Sequence, residues 1–199
     1  CFAAIRDLPW AAWLDSGGGG RYDILVAQPL ATIITRGGQT RIQDRHGLNV
    51  SGQEPFELLR QQLGAFIEPL PEIPFAGGAL GYWGYDLARR YHRIPEIAKD
   101  AENIPEMAVG IYDWAVIFDH QELSARLVSR QRFAETEQIL PKILEKLNSL
   151  PPREKKGKTF GVQGVISSNL TLAAYRKAFH TVQRFLHECD CYQVNLTQR

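Results

Sequence analysis

Apolar and polar positions alternate along much of the first half of the chain, and that alternation predicts strands. Residues 22–28 and 31–36 carry it, split by Pro29. Gly37-Gly38 is a hairpin signal, and residues 39–43 alternate as the returning strand. The region reads as an antiparallel meander. Pro55 then opens a helix, where its missing N–H is harmless, with Phe56, Leu59, Leu63 and Phe66 on one face. After a proline-rich loop at 69–74, residues 85–91 predict a short helix with Arg89 and Arg90 in its last turn. Residues 107–120 read as one long strand, and 123–130 as its hairpin partner. Ile139, Leu140, Ile143, Leu144 and Leu147 make a helical stripe.

Prolines, charges and a glycine at 151–157 stop that helix and read as a linker. Beyond it, Thr171 caps a helix carrying Tyr175, Phe179, Val182 and Phe185 on one face, and 191–196 begins another strand. One helix and one strand cannot bury a core alone. The expected organisation is therefore a first domain at 1–150, a linker at 151–168 and the beginning of a second domain at 169–199. Strands joined by hairpins, with helices between the groups, predict an α+β fold of layered antiparallel sheets with flanking helices.

Composition narrows the function classes. Hydrophobic residues are 44% and charged residues 23% of the 199, as in a soluble globular protein. A formal net charge of +1 gives no field for nucleic acid or an anionic membrane. No apolar run approaches the roughly 20 residues that span a bilayer. Arg6, Asp7 and Pro9 interrupt the apolar start, which therefore does not read as a signal peptide. Three cysteines are too few for a disulfide framework and suit a reducing cytoplasm.

Several motifs invite chemistry. Gly77-Gly78-Ala-Leu-Gly81-Tyr-Trp-Gly84 has no Gly-Lys-Ser/Thr and lacks dinucleotide-binding spacing. Its expected role is structural: glycines admit a neighbouring backbone while Tyr82, Trp83 and Tyr85 fill the core. His187, Cys189 and Cys191 fall on one side of an extended chain, but structural zinc takes four ligands and no fourth stands nearby. Asp86, Arg89 and Arg90 read as a solvated, locally paired helix face. Asp119 and His120 are sequence neighbours on a strand and point to opposite faces, which argues against a dyad. The most suggestive cluster is Leu14-Asp-Ser16, four glycines, then Arg21-Tyr-Asp23. It suits either a small-ligand site built on backbone N–H groups or a tight turn, and both readings stay open.

Taken together, Leu8-Pro-Trp10, Leu14-Asp-Ser16, Arg21-Tyr-Asp-Ile24, Pro74-Phe-Ala-Gly-Gly-Ala-Leu-Gly-Tyr-Trp-Gly-Tyr-Asp-Leu-Ala-Arg-Arg90, Met107-Ala-Val-Gly-Ile-Tyr-Asp-Trp-Ala115 and Cys191-Tyr-Gln-Val-Asn-Leu-Thr-Gln-Arg199 resemble the chorismate-utilising enzymes. The branch they resemble is aminodeoxychorismate synthase component I, with anthranilate synthase component I as the alternative. The resemblance implies an amino-terminal domain packed on a larger chorismate-binding domain. It implies replacement of the 4-hydroxyl of chorismate by an amino group, with ammonia from a glutamine amidotransferase subunit and magnesium on the substrate carboxylate. The family's catalytic lysine and glutamate are expected beyond Arg199, so no catalytic or metal-binding residue is assigned here. One site carries over: a tryptophan effector pocket at Ser16, Gly19, Gly20, Arg21 and Tyr22. The all-glycine loop and Asp15, where the anthranilate branch has glutamate, depart from the pattern. A third reading is a non-catalytic tryptophan sensor.

Overall fold

The computed structural model describes residues 2–97, 100–149 and 161–198. Two of its helices begin where a local side chain satisfies a free N–H group. In α2 (Pro55–Leu63) the preceding Glu54 carboxylate accepts the Glu57 N–H at 2.8 Å, Pro55 takes the first position, and Gly64 at φ 68° ends the helix. A short helix, α1 (Phe2–Ile5), precedes it. In α4 (Leu172–His187) the Thr171 hydroxyl accepts the Ala174 N–H at 3.2 Å, the cap expected from the sequence. The helix α3 (Ala134–Asn148) has no local side-chain cap. Its start is held instead by a distant residue, Asp113, whose carboxylate accepts the Thr136 hydroxyl at 2.6 Å and the Phe133 N–H at 3.3 Å.

Nine strands are formed among the described residues: β1 (Ala12–Leu14), β2 (Tyr22–Val26), β3 (Ala31–Arg36), β4 (Gln39–Asp44), β5 (Gly47–Ser51), β6 (Gly78–Trp83), β7 (Met107–Tyr112), β8 (Trp114–Asp119) and β9 (Ser124–Ser129). They build two sheets, β1-β2-β8-β9 and β5-β4-β3-β7-β6, with every pair antiparallel. The chain is thus α+β with layered antiparallel sheets. One core cluster joins Ile33, Ile42, Val109 and Ile111 of the larger sheet to Leu58 and Leu59 of α2. Another joins Leu25, Trp114 and Val116 of the smaller sheet to Ile5 of α1 and Ile143 of α3. A third draws Val26, Ala115 and Ile117 together with Tyr112 and Leu80, and so contains residues of both sheets.

Two expected connections differ. The predicted meander separates: β2 pairs with β1 and β8, whereas β3 pairs with β4 and β7. Gln28, at φ 51°, turns the chain between sheets, and its N–H is taken by the Pro9 carbonyl at 2.8 Å. The single strand expected at 107–120 is likewise two strands, broken at Asp113, one in each sheet. Both halves are buried on nearly every residue, so the apolar run carries no mark of the crossing.

Three packing expectations also change. Leu58, Leu59 and Leu63 face the core from α2, while Phe56 meets the Tyr91 ring and Phe66 follows the end of the helix, largely exposed. Tyr82, Trp83 and Tyr85 do not fill the core; all three are exposed, Tyr85 at 91%. They lie at the end of an edge strand and at the start of a 3₁₀ turn, Tyr85–Arg90, so only one flank meets other chain. The close approach itself is real: a Cβ on Gly81 would stand 2.1 Å from the Ala108 carbonyl oxygen. Residues 191–196 form no strand. A lone extended segment has no partner for its backbone groups, and a strand exists only in pairing.

By contact, the chain divides into two compact units, Cys1–Arg153 and Glu154–Arg199. The first contains both sheets and α1–α3. The second contains α4, which has no buried residue. The linker segment at 151–157 lies outside the described residues.

Candidate functional site

The glycine loop connects β1 to β2, whose register sets Leu14 opposite Ile24 at its base. Gly17 and Gly18 take φ 62° and 75°, a left-handed pair that other residues adopt only under strain. The Asp15 carboxylate accepts the Gly17 N–H at 2.8 Å, and the Ser16 carbonyl accepts the Gly19 N–H at 3.1 Å. Gly20 lies directly on Ser16, where an added Cβ would be 3.0 Å from the Ser16 Cβ. Ser16, Gly19 and Gly20 are therefore brought together in one small turn.

Arg21 and Tyr22 leave that turn in other directions. The Arg21 guanidinium donates to Asp119 Oδ2 from Nε at 3.0 Å and from Nη2 at 2.7 Å. Its charge is already matched, so it does not face the loop as a free cation. Tyr22 packs in the third core cluster and donates its hydroxyl to the Glu72 carbonyl at 3.2 Å. Of the other aromatic residues near the start, Trp13 lies against Phe2, and the Trp10 carbonyl accepts the Tyr112 hydroxyl at 2.8 Å.

Two carboxylates stand below the loop. Asp119 is held down to about 2, first by the Arg21 hydrogen bond and then by the Glu122 and Gln121 N–H groups, against the opposing effect of burial. Asp23 is also held down to about 2, first by the Ser16 backbone N–H, with His120 contributing. The Ser16 N–H meets Asp23 Oδ1 at 2.9 Å, and His120 Nε2 stands 3.1 Å from the same oxygen. Asp119 and His120 thus diverge to separate partners, as their alternation implied. Asp23 stood in the polar cluster around the glycine loop, but neither carboxylate is among the site residues expected from the sequence. A signal existed in Asp119, a charge at the end of a largely apolar run, but its partner Arg21 lies 98 residues away.

Elsewhere, a cavity of about 290 Å³ is lined by residues that include Leu30, Ala31 and Ile111 and the pair Arg45 and Glu135, 2.9 Å apart. A second, of about 560 Å³, follows the end of α2 and the proline-rich loop. Neither is lined by the glycine loop. Among the described residues, no group of three or more His, Cys, Asp or Glu is placed to hold a metal ion. The one-sided arrangement of His187, Cys189 and Cys191 does not form: His187 ends α4, and Cys189 turns at φ 60°.

Comparison with known proteins adds the following. Residues 10–199 match the family model described as chorismate binding enzyme. The chain is 38% identical to aminodeoxychorismate synthase component 1 of Escherichia coli (strain K12), over 100% of the chain and 43% of that protein. It is 26% identical to the chloroplastic anthranilate synthase alpha subunit 2 of Arabidopsis thaliana, over 90% of the chain and 33% of that protein. Among solved structures, it resembles anthranilate synthase component I from Streptococcus pneumoniae TIGR4, with a TM-score of 0.67 and 23% identity, over 86% of this chain and 39% of that one. The last likeness speaks to the fold. The chain spans less than half the length of these relatives.

Proposed function

From the premise that the chain belongs to the chorismate binding enzyme family, we propose that it is the amino-terminal portion of a chorismate-aminating subunit. In this reading the whole protein replaces the 4-hydroxyl of chorismate with an amino group, giving 4-amino-4-deoxychorismate for para-aminobenzoate and folate synthesis in the cytoplasm. Ammonia comes from a glutamine amidotransferase partner. The observation that carries it is the 38% identity to the Escherichia coli aminodeoxychorismate synthase component across the full chain; the anthranilate synthases compared reach 24–27%, and the Bacillus subtilis and Streptomyces lividans aminodeoxychorismate synthase components 27–28%. That the relatives are named as component 1 agrees with a second subunit.

The chemistry is assigned to the part of the relatives that this chain does not span. In this reading magnesium is held by that part too, on the carboxylate of the substrate. What this chain supplies is a sheet scaffold and, we propose, an effector pocket for tryptophan at Ser16, Gly19, Gly20, Arg21 and Tyr22. The loop supports this with a small turn whose backbone approaches closely and a buried Ser16 hydroxyl. Arg21 acts there through its pair with Asp119 and not as a direct carboxylate partner.

The test is full-length protein with chorismate, ammonia and magnesium. Formation of 4-amino-4-deoxychorismate is expected. Fluorescent anthranilate with release of pyruvate would move the protein to the anthranilate branch, and no turnover would favour a sensor. Calorimetry with tryptophan should show binding that Ser16→Ala and Tyr22→Ala weaken; affinity untouched by both would place the site elsewhere.

A further inference from the structure

We propose that Asp23 is the positioning residue of the glycine loop, holding Ser16 and through it Gly20 in place. This inference rests on reading the loop as an effector site, but its structural half stands apart from that reading. On β2, Asp23 and Leu25 share one face, and Leu25 packs in the core cluster beneath α1 and α3. An ionised carboxylate on that face, only 8% exposed, needs partners to stay there.

It has two. The Ser16 N–H donates to Oδ1 at 2.9 Å from the loop above, and His120 Nε2 approaches the same oxygen at 3.1 Å from the end of β8. His120 is itself fixed, because its N–H donates to the Arg21 carbonyl at 2.8 Å. Asp119 braces the other side, binding Arg21 through Oδ2 and the Gln121 and Glu122 N–H groups through Oδ1. The remaining loop bonds are local: Gly17 to Asp15 and Gly19 to Ser16. Among the described residues, the Ser16 N–H is the loop amide that reaches outside the loop, and it ends on Asp23. The Ser16 hydroxyl is buried without a hydrogen-bond partner among the described residues, and Gly20 rests on the Ser16 Cβ. Displacing Ser16 therefore displaces both the hydroxyl and the Gly20 backbone.

The test uses full-length protein, with residue-resolved amide exchange and tryptophan calorimetry on Asp23→Ala, Asp23→Asn and His120→Gln. A charged acceptor makes a hydrogen bond roughly twice as strong as a neutral one. Asparagine keeps a neutral oxygen for the Ser16 N–H, and alanine keeps none. Protection of the Ser16 amide should therefore drop about tenfold or more in Asp23→Ala and by a smaller factor in Asp23→Asn. Gly19, bonded within the loop, should change less. Tryptophan affinity should fall in the same order, alanine below asparagine below wild type. His120→Gln should leave Ser16 protected. If Asp23→Ala does not fold, the isosteric Asp23→Asn decides. Ser16 protection unchanged in a folded Asp23→Asn protein overturns the proposal, as does unchanged affinity where wild type binds. A wild type without tryptophan affinity defeats the effector reading alone, and amide exchange still rules on Asp23.

Discussion

Two amphipathic helices of nearly equal length, α3 with 15 residues and α4 with 16, meet different fates. α3 starts without a local cap and contains Pro141, yet it buries Thr136 and Ile143 against a sheet. α4 has a good cap and no internal proline, yet buries nothing, and Phe179 and Phe185 remain exposed. The better local sequence thus belongs to the helix with less tertiary support. Capping contributes about 1 kcal/mol, whereas most helix stability in proteins comes from packing one face.

The widest separation is expected in hydrogen exchange on the 199-residue chain. Core amides of α3 and of the central strands should open only with the fold, with protection of about a thousandfold or more, while α4 should show little. Comparable protection of α4 in a monomer would remove the contrast and mean that it has found a surface.

Mutation gives the next largest difference. Ile143→Ala, at a side chain 1% exposed, should cost about 2–5 kcal/mol in urea denaturation. Phe179→Ala in α4 should stay within about 0.5 kcal/mol in the same measurement. Equal costs would place both helices in one cooperative core.

Within the first unit, Gly81→Ala should destabilise by about 1–3 kcal/mol, because the new methyl meets the β7 backbone. Gly38→Ala, with nothing within 4 Å of the added carbon, should be close to neutral by thermal melting. A neutral Gly81→Ala would mean that β6 can move off its neighbour.

Acid gives the smallest separation. Asp23 and Asp119, ordinarily near 3.8, are each held to about 2 in the folded first unit. Their folded values lie below the unfolded ones, so their contribution is present above about pH 4 and lost as pH falls toward 2. Stability of the first unit should decline across that window, and Asp23→Asn with Asp119→Asn should flatten the decline. An unchanged slope would show that neither pair couples to folding.

Much of the secondary structure was legible locally. The β3–β4 hairpin at Gly37-Gly38, the start of α2 at Pro55 and the Thr171 cap all depend on residues within a few positions of each other, and all appear. The expected strand at 191–196 failed for the converse reason, since pairing needs a second chain segment. Exposure of Tyr82 and Trp83 was hidden because alternation cannot tell an edge strand from a central one.

By itself, the sequence determined the α+β class, the β3–β4 hairpin and the starts of α2 and α4, because turns, caps and periodicity act over short separations. Tertiary structure alone decided that the chain changes sheets at Gln28 and Asp113, since each choice depends on burying both faces of a strand against distant elements. It also decided that Arg21 belongs to Asp119 and the Ser16 amide to Asp23, with His120 on the same carboxylate. Charges find their partners by position in space, and Arg21 and Asp119, 98 residues apart, become neighbours only when β2 pairs with β8.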